Sequence, residues 1–127
     1  MPKRIISTER APSSPLYSQG VRAGSTIYVS GMVGIDVATQ ALAGPTIQEQ
    51  TLQALRNCTA IVEAGGGTQG DIVHVTVLLT DAADFAGMNE AYAKVFTAEP
   101  PTRAVAKLGV ELPHVLVSIM VTAQLTD

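Results

Sequence analysis

The sequence predicts an α+β domain in which two helices cover one side of a mixed, six-stranded sheet. Three observations carry that prediction. Alternating apolar residues over 26–30, 71–80 and 116–123 mark strands. Apolar residues at helical spacing follow Thr46 and again follow Asp81. The last strand is apolar on both faces, and a strand of that kind needs cover on both sides. The order reads β-β-β-α-β-α-β-β, a single domain over residues 1–127 with no repeat, linker or low-complexity segment.

Lys3 to Ser7 is a short strand, and Glu9 to Pro15, polar with two prolines, is a loop. Leu16 to Val21 resumes as a strand, Arg22-Ala23-Gly24-Ser25 turns the chain, and Thr26 to Ser30 returns it. In Gly31-Met32-Val33-Gly34, two glycines at a strand end suggest a bulge or a close backbone approach. Ala38 to Gly44 is a turn region. Thr46-Ile47-Gln48-Glu49 fits the capping box that opens a helix. Leu52, Leu55, Cys58, Ile61 and Val62 form its apolar stripe, and Gly65-Gly66-Gly67 stops it.

Asp71 to Thr80 is a strand with Val73, Val75, Val77 and Leu79 on one face and Ile72, His74, Thr76, Leu78 and Thr80 on the other. Asp81 caps a second helix whose stripe is Phe85, Met88, Tyr92, Val95 and Phe96; Pro100 and Pro101 end it. A strand from Thr102 and a Leu112-Pro113 turn lead to the last strand. There Leu116, Ser118, Met120 and Thr122 alternate with Val117, Ile119, Val121 and Ala123.

Hydrophobic residues make up 46% and charged ones 15%, with mean hydropathy +0.27, so apolar area is expected to be hidden between subunits. Net charge is −3, and no basic stripe offers a footprint for nucleic acid. The single cysteine, Cys58, cannot form an internal disulfide, which fits a reducing compartment. No apolar run approaches the ~20 residues of a membrane span and the first residues lack the apolar core of a signal peptide. The cytoplasm is the expected address.

Several site chemistries find no support. The glycine run follows a helix, whereas a phosphate-cradling loop opens one. His74 and His114 are the two histidines, neither with ligand partners at metal-binding spacing, so no metal site is expected. Ser13, Ser14, Ser18 and Ser30 have no His-Asp arrangement around them. Cys58 sits on an apolar stripe with no base or cation nearby to lower its pKa, and reads as a small buried hydrophobe.

One basic residue stands apart. Arg103 enters its strand directly behind Pro100-Pro101, whose fixed φ gives a rigid lead-in. A guanidinium offers a planar fork of donors that suits a carboxylate. Arg103 could anchor a small carboxylic acid or form an ordinary ion pair, and spacing alone favours the ion pair.

The pieces together resemble the RidA/YjgF family, also called the endoribonuclease L-PSP family. The resemblance rests on Tyr17-Ser18-Gln19-Gly20 and Ile27-Tyr28-Val29-Ser30-Gly31, then on Asn57 to Ala64 followed by glycines and Asp71-Ile72-Val73. Asp84-Phe85, Met88-Asn89, Tyr92 with Phe96, Pro101-Thr102-Arg103 and Leu112-Pro113 complete it. It implies a chorismate-mutase-like fold and a homotrimer whose sheets form a central barrel with three inter-subunit clefts. It also implies hydrolysis of 2-imino or enamino acids to 2-keto acids and ammonia, without metal or organic cofactor.

By the same resemblance, Arg103 matches the arginine that holds the substrate carboxylate, and Tyr17 the family's cleft tyrosine, with a merely packed aromatic as the equal alternative. The Gly31 backbone matches a contact to substrate, and Ser30 and Asn89 match polar positions near the cleft; Asn89 could equally be a helix-surface amide. Two departures stand out. Val105 replaces a cysteine common in deaminating members, and Ser118 replaces a glutamate thought to orient the attacking water. A serine holds water but is a poor base. Glu111 and His114 flank the Leu-Pro turn and read as surface residues. Valine at 105 and serine at 118 make the cleft less polar and roomier, which allows a bulkier substrate.

Three functions follow. One is a RidA-like deaminase with Arg103 as anchor, slowed by the ~10²–10⁴-fold that general-base help supplies. Another is a non-hydrolytic trimer that binds a small carboxylate. The third is a pathway-specific enzyme on an unusual acid in the same cleft. The ribonuclease named in one family title finds no basic surface in this chain.

Overall fold

In the computed structural model, which describes residues 2–126, the predicted order of elements holds with three additions. Strands β1 (Arg4–Ile6), β2 (Gly20–Ala23) and β3 (Thr26–Val29) are followed by the short β4 (Met32–Val33) and a small hairpin of β5 (Ile35–Asp36) and β6 (Ala41–Leu42). Helix α1 (Ile47–Ala64), strand β7 (Ile72–Leu79), helix α2 (Phe85–Val95), and strands β8 (Thr102–Lys107) and β9 (Val117–Gln124) complete the chain. The main sheet runs β1-β2-β3-β9-β7-β8, with β4 also paired to β9. Only β7 and β8 are parallel among its pairs, so the sheet is mixed as expected.

The β2–β3 hairpin closes on Gly24-Ser25, with Ala23 opposite Thr26 and Gly24 at φ 61°, the place where a two-residue turn takes glycine. The expected strand at Leu16 to Val21 begins only at Gly20. Leu16 is 90% exposed, and Tyr17 makes an isolated bridge to Ser14, so this apolar pair sits in a turn with no strand beside it. The bulge expected near Gly31 is present. Tyr28 faces Thr122 and Met32 faces Ile119, a one-residue shift between β3 and β4 along the same partner strand. The region 38–44, expected as a turn, carries the β5–β6 pairing across it.

Alternation fails once. A second bulge in β7 between Ile72 and His74 buries Ile72 and leaves Val73 47% exposed, reversing the predicted faces at that end. Beyond it, Val75, Val77 and Leu79 join Val117, Ile119, Val121 and Ala123 beneath the two helices. From α1 come Leu55, Cys58, Ile61 and Val62, and from α2 Met88 and Tyr92, all in one core. Thr46 caps α1 with the full capping box, its hydroxyl accepting from the Glu49 amide. Asp81 caps a single 3₁₀ turn, Ala82–Asp84, which then feeds α2, so the cap lies one turn earlier than predicted. At the far end of α1 the paired residues Arg4 and Arg22 both donate to the Gly65 carbonyl, at 3.0 and 2.9 Å, placing cations at the negative end of the helix.

Three buried amides tie loops to this frame. Gln50 donates to the Gly44 and His114 carbonyls and accepts from the Leu116 amide. Asn57 donates to the Val33 and Ile35 carbonyls and accepts from Gln53. Gln19 donates to Thr8, Ala11 and Pro12 and accepts from Thr8. Buried amides of this kind fix loops that have no sheet to join. The sheet face away from the helices stays open in the single chain, with Tyr28 54% and Met120 43% exposed. No helix among the described residues is long and apolar enough to cross a membrane.

Candidate functional site

Strand β8 is the sheet's edge, and its residue Arg103 lies opposite Val75. Val75 is on the helix-covered face, so the Arg103 side chain runs up toward α2. Helix α2 meets it with residues of a single face, spaced 85, 88, 89 and 92. The guanidinium carbon lies 4.8 Å from the centre of the Tyr92 ring and 5.8 Å from that of Phe85. Its Nη1 donates to the Asn89 side-chain oxygen at 2.7 Å and lies 3.9 Å from the Met88 sulfur. Among the described residues, one ion pair forms, Arg10 with Glu63 at 3.0 Å, and it does not involve Arg103.

Arg103 is therefore held in place by rings and an amide. None of these neutralises it, and among the described residues its Nε and Nη2 have no partner. A guanidinium oriented and uncompensated in this way presents two donors to an incoming carboxylate. The Tyr92 hydroxyl is buried without a hydrogen bond. Burial pushes that phenol above its ordinary pKa, while the Arg103 charge pulls in the opposite direction. Val105, two residues along the same face of β8, is half-buried and lines a pocket with Phe85.

The remaining candidates gather elsewhere. The Ser30 hydroxyl donates to the Ser18 carbonyl at 2.6 Å and its amide to the Gln19 carbonyl at 2.9 Å, binding the bulge to the loop that carries Tyr17. Tyr17 is exposed, beside Ser13, Ser14 and Ser18. A Cβ on Gly31 would come within 3.1 Å of the Ser118 hydroxyl, so the glycine keeps the space over Ser118 clear. Ser118 lies between Val33 and Leu78 and shares the Leu78 side of the sheet, away from the helices. Tyr17, Ser30, Gly31 and Ser118 thus form one group, and Arg103, Asn89 and Val105 another. The Ser118 and Arg103 side chains leave opposite faces of one sheet, so a single chain does not bring the two groups together.

Other chemistry-bearing residues are occupied. Both ring nitrogens of His74 are engaged, by the Thr102 hydroxyl at 2.7 Å and the Thr76 hydroxyl at 3.2 Å. His114 and Glu111 are exposed on the loop between β8 and β9, His114 at φ 63° with its carbonyl held by Gln50. Cys58 is fully buried against the Ile119 carbonyl, and burial pushes its thiol up to about 12. No cluster of three or more His, Cys, Asp or Glu that could hold a metal occurs among the described residues. The seat of Arg103 went unread in the sequence, where Phe85, Met88 and Tyr92 formed one apolar stripe; Met88 and Tyr92 are core, and Phe85 is 45% exposed. The available signal was an arginine on the strand next to a helix with aromatics seven residues apart.

Comparison with known proteins adds a second line of observation. The model of the endoribonuclease L-PSP family matches residues 8–125. A RutC family protein of Saccharolobus solfataricus is 42% identical over 125 residues, covering 96% of this chain and 98% of its own. The human 2-iminobutanoate/2-iminopropanoate deaminase is 40% identical over 103 residues, covering 80% of this chain and 75% of its own. The structure of E. coli TdcF with bound serine superposes with a TM-score of 0.90 at 35% identity, covering 97% of this chain and 99% of that one.

Proposed function

Since this chain belongs to the RidA/YjgF (endoribonuclease L-PSP) family, we propose that it hydrolyses a small 2-imino or enamino acid to the 2-keto acid and ammonia. The observation that carries the proposal is the uncompensated guanidinium of Arg103, fixed by Asn89, Tyr92 and Phe85. Two of its donors would clamp the substrate carboxylate and so fix the position of C2 next to it. Water then adds to the C2=N bond to give a carbinolamine. The C–N bond breaks, nitrogen departs as ammonia, and the C2 hydroxyl loses its proton to become the keto group. Relatives named as imine deaminases, and a structural neighbour solved with serine, an acid of similar size, support the same substrate class.

The cleft itself needs a second chain. Arg103, Asn89 and Val105 from one subunit would face Tyr17, Ser30, Gly31 and Ser118 of the next, in a homotrimer that also covers the open sheet face around Tyr28 and Met120. Hydrolysis of an iminium asks for no metal or organic cofactor, since the electrophile is already in the substrate.

One observation favours a second reading. Ser118, at the position of the family's glutamate, lies beside Gly31, Val33 and Leu78, and a serine hydroxyl holds water but is a poor base to activate it. A trimer that binds a small carboxylate without hydrolysing it, or that acts on an unusual acid, fits that arrangement. The test generates 2-imino acids with an amino-acid oxidase and traps surviving imine with semicarbazide. Wild type is expected to speed imine loss and Arg103→Ala to abolish the gain. An inert wild type with an active Ser118→Glu would assign the natural role to binding or another reaction.

A further inference from the structure

The face of β8 that carries Arg103 continues through Val105 to Lys107, opposite Val75, Val77 and Leu79 in turn. Past Arg103, that face opens into a pocket of about 370 Å³ lined by Leu79, Ala82, Phe85, Val105, Ala106 and Lys107. This volume lies within the ~300–1,000 Å³ range of small-molecule sites, which are mostly apolar with a few polar groups fixing orientation. Phe85 belongs to both places. Its ring centre lies 5.8 Å from the guanidinium carbon, and the residue, 45% exposed, also lines the pocket. The carboxylate anchor and the pocket are therefore neighbours that share Phe85 as a wall.

We propose that this pocket receives the aliphatic side chain of the acid that Arg103 holds, so that branched-chain 2-imino acids are preferred over pyruvate-sized ones. The inference rests on the imino-acid reading above and names its substrate class. Strand geometry puts Val105 about 6–7 Å beyond Arg103, a step that a short branched chain spans, and Lys107 about 13 Å beyond, out of its reach. Five of the six lining residues are apolar, and the lysine contributes its methylene stem while its ammonium reaches for the rim. A distal carboxylate would lose its hydration against five apolar walls, with Lys107 as the one charged group to meet it, so the contrast with a dicarboxylic acid tests whether the lysine or the apolar walls decide. Ala82 lines the pocket from the exposed 3₁₀ turn before α2, so a large side chain there is expected to fill the pocket without entering the core.

Binding of product 2-oxo acids tests this independently of turnover. Isothermal titration of the full-length protein would compare pyruvate, 4-methyl-2-oxopentanoate and 2-oxoglutarate, on wild type, Ala82→Phe and Arg103→Ala. The expected result is at least tenfold tighter binding of the branched acid than of pyruvate. Ala82→Phe should remove that preference while keeping pyruvate binding, which also reports that the variant is folded. Equal affinities in wild type, or tightest binding of 2-oxoglutarate, would overturn the pocket assignment and leave the anchor standing. Binding of all three acids that survives Arg103→Ala, or no binding at all, would overturn the anchor and the pocket together.

Discussion

Arg103 shows how much a neutral partner can matter. Asn89 accepts from the guanidinium at 2.7 Å without cancelling its charge. Asn89→Asp would keep the geometry and add the missing carboxylate. We expect its melting temperature to be unchanged or slightly raised, because an exposed pair contributes little. Affinity for small acids should nevertheless fall about 10- to 100-fold, the magnitude of losing charge-assisted hydrogen bonds. A titration in which Asn89→Asp binds acids as tightly as wild type would show that Asn89 serves only the helix. Cys58 makes a different prediction. Its thiol is pushed up to about 12 in the folded chain, whereas the unfolded chain ionises near its ordinary value of 9.0. The unfolded state therefore loses its proton first, and the thiol's contribution, full below pH 9, falls away as pH rises toward 12. The slope is about 1.4 kcal/mol per pH unit in that window. Denaturant melts of wild type against Cys58→Ala across pH 8–11 should show the gap between them closing by that amount. At this scale Cys58 was legible through its stripe, whereas the proline lead-in only set Arg103 apart, spacing favoured an ion pair, and the resemblance pointed to a carboxylate. The ring seat was not legible, because a side chain's partners depend on which strand comes to lie beside which helix.

The elements divide according to how local their causes are. The capping box of α1, its glycine stop and the alternation in β9 were legible because each is written within a few adjacent residues. The β7 bulge was not, since it depends on how β9 runs past it, and it misassigned Val73. Gln50 and Asn57 had no place in the apolar stripe of α1, and the carbonyls of distant loops explain why both are fully buried. Gly34 belongs with them. It passes so close to α1 that a Cβ would come within 2.5 Å of the Gln50 carbonyl oxygen and 2.7 Å of its Cα, with backbone on both sides unable to swing away. Gly34→Ala is expected to cost about 1–3 kcal/mol, the range for overpacking. Chemical denaturation would register it as a lower midpoint at unchanged slope. An unchanged midpoint would mean that the bulge and α1 can separate freely.

For the whole molecule, the candidate site is split across two faces of one sheet, and the prediction is one of complementation. Arg103→Ala and Tyr17→Ala chains should each be unable to turn over imino acids. Unfolded together and refolded as a mixture, they should regain part of the activity, because some clefts draw both sides from unmutated surfaces. A mixture as inactive as its components would place both residues on the same side of the cleft. The greasy composition raised the expectation that subunits meet, while the fold class and element order followed from periodicity alone. How the two site groups divide between sheet faces needed the register of β7, β8 and β9. That register carries one more consequence. The strand that comes last in the chain lies between β3 and β7, and through β4 it also receives the bulge beneath α1. The earlier strands therefore make two half-sheets, β1-β2-β3 and β7-β8, that share no strand-to-strand hydrogen bonding until β9 pairs with both. The amide of Gln50 would wait through 64 further residues for the carbonyl of His114. The sheet is complete only once β9 fills the gap between β3 and β7, so its pairing is the step that joins the two halves.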